Sequence, residues 1–176
     1  SNVLRGCQFF RSIFREIAES YPKIGAKEAY IDAFTMWLVR DPEDLDVVVL
    51  PNMFGDIATD LASVLQGGMG MAASANLGDK HMMFEPVHGS SPKHAGKNRV
   101  NPIAMLSSLQ LMLENLSLRH DDPLLDKYGN ILQQAISQHL SSDGPKTYDI
   151  GGTGTTSEVG DAIADRVRRL LRNDKA

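Results

Sequence analysis

One short run constrains this chain most: DVVVL at positions 46–50, followed closely by a helical pattern. Three consecutive valines, bounded by charges and by Pro51, read as a strand buried on both faces. Residues 56–65 then show helical spacing, and Gly67-Gly68 ends it. The residues just after such a strand stand where open α/β sheets place ligands.

The flanking segments carry further local signals. Residues 3–20 read as an amphipathic helix, with Phe10, Ile13, Phe14 and Ile17 at i, i+3, i+4, i+7 and Tyr21-Pro22 as its stop. Residues 28–31 read as a short strand and 33–40 as a helix. Residues 69–96 are rich in Gly, Ser, Ala and Pro without clear periodicity, and so long a loop is usually functional. Asn101-Pro102 opens a helix to about Leu116, and residues 128–140 form another. Ser157 is the expected N-cap of the last helix, with Glu158 favoured by the helix dipole.

Composition narrows the function. A length of 176 residues allows one ordinary domain or two small lobes. The net charge of −4 counts against non-specific nucleic-acid binding. Cys7 is the only cysteine, which excludes an internal disulfide and fits a reducing compartment: the cytoplasm is expected, with an organellar matrix also compatible. No apolar run reaches the roughly 18 residues a membrane helix needs. Arg11, Arg15 and Glu16 interrupt the N-terminal hydrophobics, so a signal peptide is not expected there.

Two groups of residues carry candidate chemistry. Asp56 and Asp60 are four apart, hence on one face of the expected helix. Two carboxylates with no base between them suit Mg²⁺ or Mn²⁺. Aspartates near a helix start are also favoured by the dipole, and spacing alone favours that plainer reading. Asp32, among Ile31, Ala33 and Phe34, is a third carboxylate, either ligand or cap. The second group is Glu85-Pro86-Val87-His88-Gly89-Ser90-Ser91-Pro92, followed by Lys93, His94, Lys97 and Arg99. Small residues let backbone N–H groups approach an anion, and basic side chains neutralise phosphate. Asn101 offers a donor and an acceptor to an adenine edge. On composition alone a solvated basic loop is the commoner explanation, and a lone His88 is more often structural. No GxGxxG follows a strand, so a Rossmann fold is not supported.

Taken together and in order, these segments resemble the isocitrate/isopropylmalate dehydrogenases. The resemblance lies in NMFGDI at 52–57 with Thr59-Asp60, GGMGM at 67–71, FEPVHGSSPKHAGKNRVNP at 84–102, Asn2-Val3-Leu4, Asp32 and DIGG at 149–152. It spans essentially the whole chain and implies that family's two-domain α/β fold, of which this is the C-terminal half. Residues 1–66 would belong to the smaller, dimer-forming domain and 67–176 to the larger, adenosine-binding one.

By the same resemblance, Asp56 and Asp60 are metal ligands of one subunit, and Asp32 reaches the partner's site. Asn2 lies near substrate and nicotinamide. Glu85, His88, Gly89, Ser90, Ser91, Lys93, His94, Val100, Asn101, Tyr148 and Asp149 are expected around the cofactor. Lys93-His94, Val100 and Tyr148 resemble the NADP-using pattern rather than the NAD one, although Gly152 stands where those enzymes carry an arginine. The implied reaction is metal-dependent, NAD(P)-linked oxidation and decarboxylation of a 2-hydroxy acid of the isocitrate, isopropylmalate, homoisocitrate or tartrate kind. The family's lysine base falls one residue ahead of Ser1, and its tyrosine and substrate arginines fall in the other half. No catalytic residue is therefore expected here, and the chain alone is expected to be inactive. The expected partner is a second copy or a chain carrying the other half. A non-catalytic regulatory or scaffold subunit of the same fold is the alternative.

Overall fold

The structure, a computed structural model, describes residues 3–174. The chain divides into two compact units, Ser1–Leu65 and Gln66–Ala176.

The first unit holds three helices: α1 (Arg5–Glu19), α2 (Ile31–Arg40) and α3 (Asn52–Ser63). The amphipathic pattern of α1 forms as expected, and Ser20 closes it by donating its N–H to Ile17 O. None of its residues is buried. Helices α2 and α3 meet through Phe34, Leu38 and Ala58, with Ile31, Leu45, Leu50 and Leu61 around them.

Two expected strands are absent from this unit. Residues 28–30 form no ladder, and Ile31 instead opens α2 with Tyr30 extended before it. Glu28 is held by Arg15 and Arg11. The 46–50 run also forms no ladder, and far from being buried on both faces, Val47 is 90% exposed. A strand exists only with a hydrogen-bonded neighbour. The one ladder among the described residues pairs two other segments.

That ladder opens the second unit. Strands β1 (Ala73–Leu77) and β2 (Met82–Pro86) form an antiparallel hairpin, with Ala73 opposite Pro86 and Leu77 opposite Met82. This corrects the expectation of an unstructured 69–96. The sequence ASANL has weak β propensity. It becomes a strand because β2 supplies its hydrogen bonds and α4 (Ile103–His120) packs against both strands. Arg119 of α4 donates to the carbonyls of Gly78 (2.7 Å) and Lys80 (3.3 Å), clamping the hairpin loop.

Helix α4 runs one turn further than expected, to His120, and Asp121 ends it in a left-handed conformation (φ 52°). Asp122 then caps α5 (Pro123–Leu140), accepting from Leu124 N at 2.9 Å. The helix thus starts five residues before Tyr128, where the sequence pattern places it, because proline suits the first helical position. Helix α6 (Thr156–Asn173) is capped by Thr155, not Ser157. Thr155 and Glu158 form a reciprocal capping box. Ile103, Leu132, Ala135, Ile136, Val159 and Ile163 make one core where α4, α5 and α6 meet. His139 and Thr147 are also fully buried, and among the described residues neither side chain makes a hydrogen bond of good geometry. Among the described residues no helix is long and apolar enough to cross a membrane.

Candidate functional site

The aspartates come first. Helix α3 starts at Asn52, so Asp56 lies in its second turn rather than its first. The dipole reading weakens accordingly, because that effect fades beyond the first turn. Asp56 and Asp60 are both exposed, one turn apart. Asn52, a turn earlier, donates to Asp56 Oδ2 at 3.4 Å. No basic side chain pairs with either aspartate among the described residues.

Asp32 differs. It sits in the first turn of α2, exposed, and its Oδ1 accepts from Ala33 N–H at 2.9 Å. Among the described residues no three His, Cys, Asp or Glu side chains converge as a metal-binding group, so Asp32 does not join the α3 pair within one chain. The donor chemistry of Asp56 and Asp60 fits a hard divalent cation, with further oxygen ligands required from elsewhere.

The second unit gathers the basic loop. Ser91 adopts a left-handed conformation (φ 45°) ahead of a 3-10 turn at Pro92–His94, and its Oγ lies 2.8 Å from His94 Nδ1. His94 and Tyr148 approach ring to ring, with centroids 6.0 Å apart. On Tyr148 lies the Arg99 guanidinium, 4.2 Å from the ring centroid. Asn98, left-handed at φ 48°, ties this loop to α6: its Oδ1 accepts from Ser157 N and Oγ at 3.1 and 2.9 Å. The Val100 carbonyl accepts from Thr156 Oγ1 at 2.6 Å. Ser157, expected to cap the helix, braces the loop instead.

Asn101 turns inward. It is 7% exposed, its Oδ1 accepts from Ile103 N–H, and its Nδ2 donates to Asp149 Oδ2 at 3.0 Å. Both ends of the amide are therefore engaged inside the fold. Gly70 packs under the pair, since a Cβ there would lie 2.7 Å from Asp149 Oδ2. Glu85 stands exposed on β2, accepting from Asn76 at 3.4 Å, while the His88 ring rests on the Gly89 carbonyl. Ser90 and Lys93 are exposed. Asn2 lies outside the described residues. Arg99 was noted in the sequence only as a nearby base. Its place against Tyr148, 49 positions on, had no local signal.

Comparison with known proteins follows the same lines. The family model described as isocitrate/isopropylmalate dehydrogenase matches residues 1–163. The 3-isopropylmalate/3-methylmalate dehydrogenase of Methanocaldococcus jannaschii is 43% identical over 169 residues, covering 96% of this chain and 48% of that protein. A probable tartrate dehydrogenase/decarboxylase of Bacillus subtilis is 39% identical, with 97% and 47% covered. Among solved structures, an isocitrate dehydrogenase from Methylococcus capsulatus superposes with a TM-score of 0.82 at 37% identity, over 90% of this chain and 45% of that one. The chain spans about half the length of the curated relatives it matches.

Proposed function

The chain belongs to the isocitrate/isopropylmalate dehydrogenase family, and on that premise we propose that the protein oxidises and decarboxylates a 2-hydroxy acid, using Mg²⁺ or Mn²⁺ and NADP⁺ in preference to NAD⁺. The observation that carries the reading is the Asp56–Asp60 pair: exposed, one turn apart, without a cationic partner among the described residues, and past the turn where the dipole would explain it. When bound, the cation supplies Lewis acidity to the substrate hydroxyl and the nicotinamide accepts hydride.

The chain's own residues divide the remaining work. Asp56 and Asp60 would hold the cation through their carboxylates, and Asp32 would serve the site of a second copy. By the family resemblance, Asn2 would lie near substrate and nicotinamide. The loop from His88 to Asn101, with Tyr148 and Asp149, holds the adenosine, and Glu85 lies at its edge. Lys93 favours a 2′-phosphate by charge. The relatives act on isopropylmalate, tartrate or isocitrate by their names, and by the family resemblance the side group that separates these substrates would be read mostly by the other half. The working unit is a homodimer, or a pairing with a chain that carries the other half.

The test is turnover by the full-length protein against the three substrate kinds, followed as nicotinamide reduction with and without chelator. Asp60→Asn is expected to lower activity by at least about a hundredfold, the usual scale for loss of a charge-stabilising group. The 176-residue chain alone is expected to show none. Full activity in Asp60→Asn would remove Asp60 from the cation site, and no turnover of any of the three substrate kinds by the folded full-length protein would favour the scaffold alternative.

A further inference from the structure

We propose that the turn from 141 to 154 is an acid-released latch: His139 beneath it takes up a proton as the turn opens, and opening withdraws Tyr148 and Asp149 from the candidate loop at 91–101. The device works whatever ligand that loop takes.

The ring of His139 is where the latch catches. It is 0% exposed in the last turn of α5, and neither nitrogen completes a hydrogen bond of good geometry among the described residues. The Pro145 carbonyl lies near enough to stabilise the ring in part. Thr147, on the turn itself, is likewise buried with its hydroxyl unpaired among the described residues. Buried polar groups in this state are costly, and an imidazolium here costs more than a neutral imidazole. The charges that act on the ring are both cationic: Arg166 from α6 and Lys146 from the turn. The acids of the surrounding elements are turned to other uses. Asp143 of the turn is exposed, Asp165 of α6 pairs with Arg168, and Glu114 of α4 accepts from Gln110. No carboxylate offsets a positive charge on His139.

The cover over the ring is thin. Gly144 lies at its edge, where a Cβ would stand 3.5 Å from both Nδ1 and Cε1. Ser142 ties the turn down, donating to His139 O at 2.8 Å and accepting from Arg166 at 2.6 Å. The turn adds no residue to the apolar core of α4, α5 and α6. Beyond Gly144 the chain is bonded to itself, through Gly152 N–H to Thr147 O (2.9 Å) and Gly154 N–H to Lys146 O (2.7 Å). A Cβ on Gly152 would collide with the Lys146 carbonyl oxygen, so position 152 admits no side chain. Residues 146–154 therefore move as one piece. Tyr148, which carries the Arg99 guanidinium at 4.2 Å, and Asp149, which accepts from Asn101 at 3.0 Å, move with it.

The closed turn keeps the ring dry and neutral, and the open turn hydrates it, so the open state takes up the proton first. Closure is at full strength above the ordinary histidine value of 6.5 and weakens as pH falls below it.

The test is hydrogen exchange in the full-length protein, corrected for the intrinsic rate at each pH. Protection of the Gly152 and Gly154 amides is expected to fall by up to about tenfold from about pH 7.5 to about pH 5.5. Amides of α2, in the first unit, should keep theirs. His139→Gln cannot titrate and should abolish the fall. His139→Phe, a second non-titrating variant that refills the site with a ring, should do the same. Flat protection of Gly152 and Gly154 in the unaltered protein overturns the latch even where α5 amides lose protection, because His139 then protonates only when the whole unit unfolds. A fall that persists in a folded His139 variant overturns it, and so does an equal fall in α2.

Discussion

The two units of this chain treat similar hydrophobic patterns in opposite ways. In the second, α4, α5 and α6 close a core in which Ile103, Ala104, Ala135, Val159 and Ile163 are at most 1% exposed. In the first, the buried apolar set is Phe34, Leu38 and Ala58, at 4–8%. Many of its other apolar residues stay outside: Phe9 is 69% exposed, Val47 90% and Met36 52%. Leu4, Phe9, Phe10 and Ile13 even line a shallow apolar groove with Met53 and Phe54. Sequence periodicity reports that a face is apolar. It does not report whether the covering surface belongs to the same chain. An exposed apolar surface of this kind is typical of a binding face, and it is where the proposed second copy, or a chain carrying the other half, would bind.

The sharpest way to break the comparison is to truncate both cores. Ile163→Ala should destabilise the second unit towards the upper end of about 2–5 kcal/mol, because the site is closed on all sides. Leu38→Ala should cost the first unit only about 2 kcal/mol, since a thinly covered site collapses more easily. Urea unfolding with residue-resolved hydrogen exchange separates the two, and equal losses would remove the distinction.

Acid should also act on the second unit selectively. Burial, chiefly, holds His139 below its ordinary value of 6.5, and the neighbouring charges of Arg166 and Lys146 push the same way. The Pro145 carbonyl only partly offsets them. The unfolded chain therefore takes up the proton first. Stability is expected to fall as pH drops below 6.5, by up to about 1.4 kcal/mol per pH unit. His139→Phe should flatten that dependence. An unchanged slope in the variant would assign the effect to another group.

The smallest expected effect is at the start of α6. Thr155→Ala removes the cap and should cost about 1 kcal/mol in thermal unfolding. Hydrogen bonds from Thr155 N–H and its hydroxyl hold Glu158 below the usual carboxylate range. That support is present above the ordinary range and is lost as pH falls through the lowered value. A loss as large as that from Ile163→Ala would mean the cap holds the loop at Asn98 as well as the helix.

Much of this was legible in advance, for a specific reason. Residues 5–19 form a helix because their apolar spacing and the Tyr21-Pro22 stop are local facts. The family motifs were legible as strings, since chemistry constrains residue type and spacing together. DVVVL misled because a strand needs a neighbour, and none of the described residues supplies one. ASANL misled in the other direction, because its partner MMFEP and the cover of α4 lie outside any local window. Thr155 was missed as a cap because Ser157 is as good a capping residue by type. The backbone chose between them by giving Asn98 a use for Ser157.

By itself, then, the sequence determined the family, the six helices α1 to α6 to within a turn or two at their ends, and the residue types at both candidate sites. A helix closes its hydrogen bonds four residues away, so its evidence is local. Only the tertiary structure decided that Asn101 faces inward to Asp149, that Arg99 lies on Tyr148, and that position 152 admits no side chain. Each of the first two joins residues nearly fifty positions apart, and the last depends on a closed turn. Contacts of that range are set by packing, and no pattern within either segment encodes them.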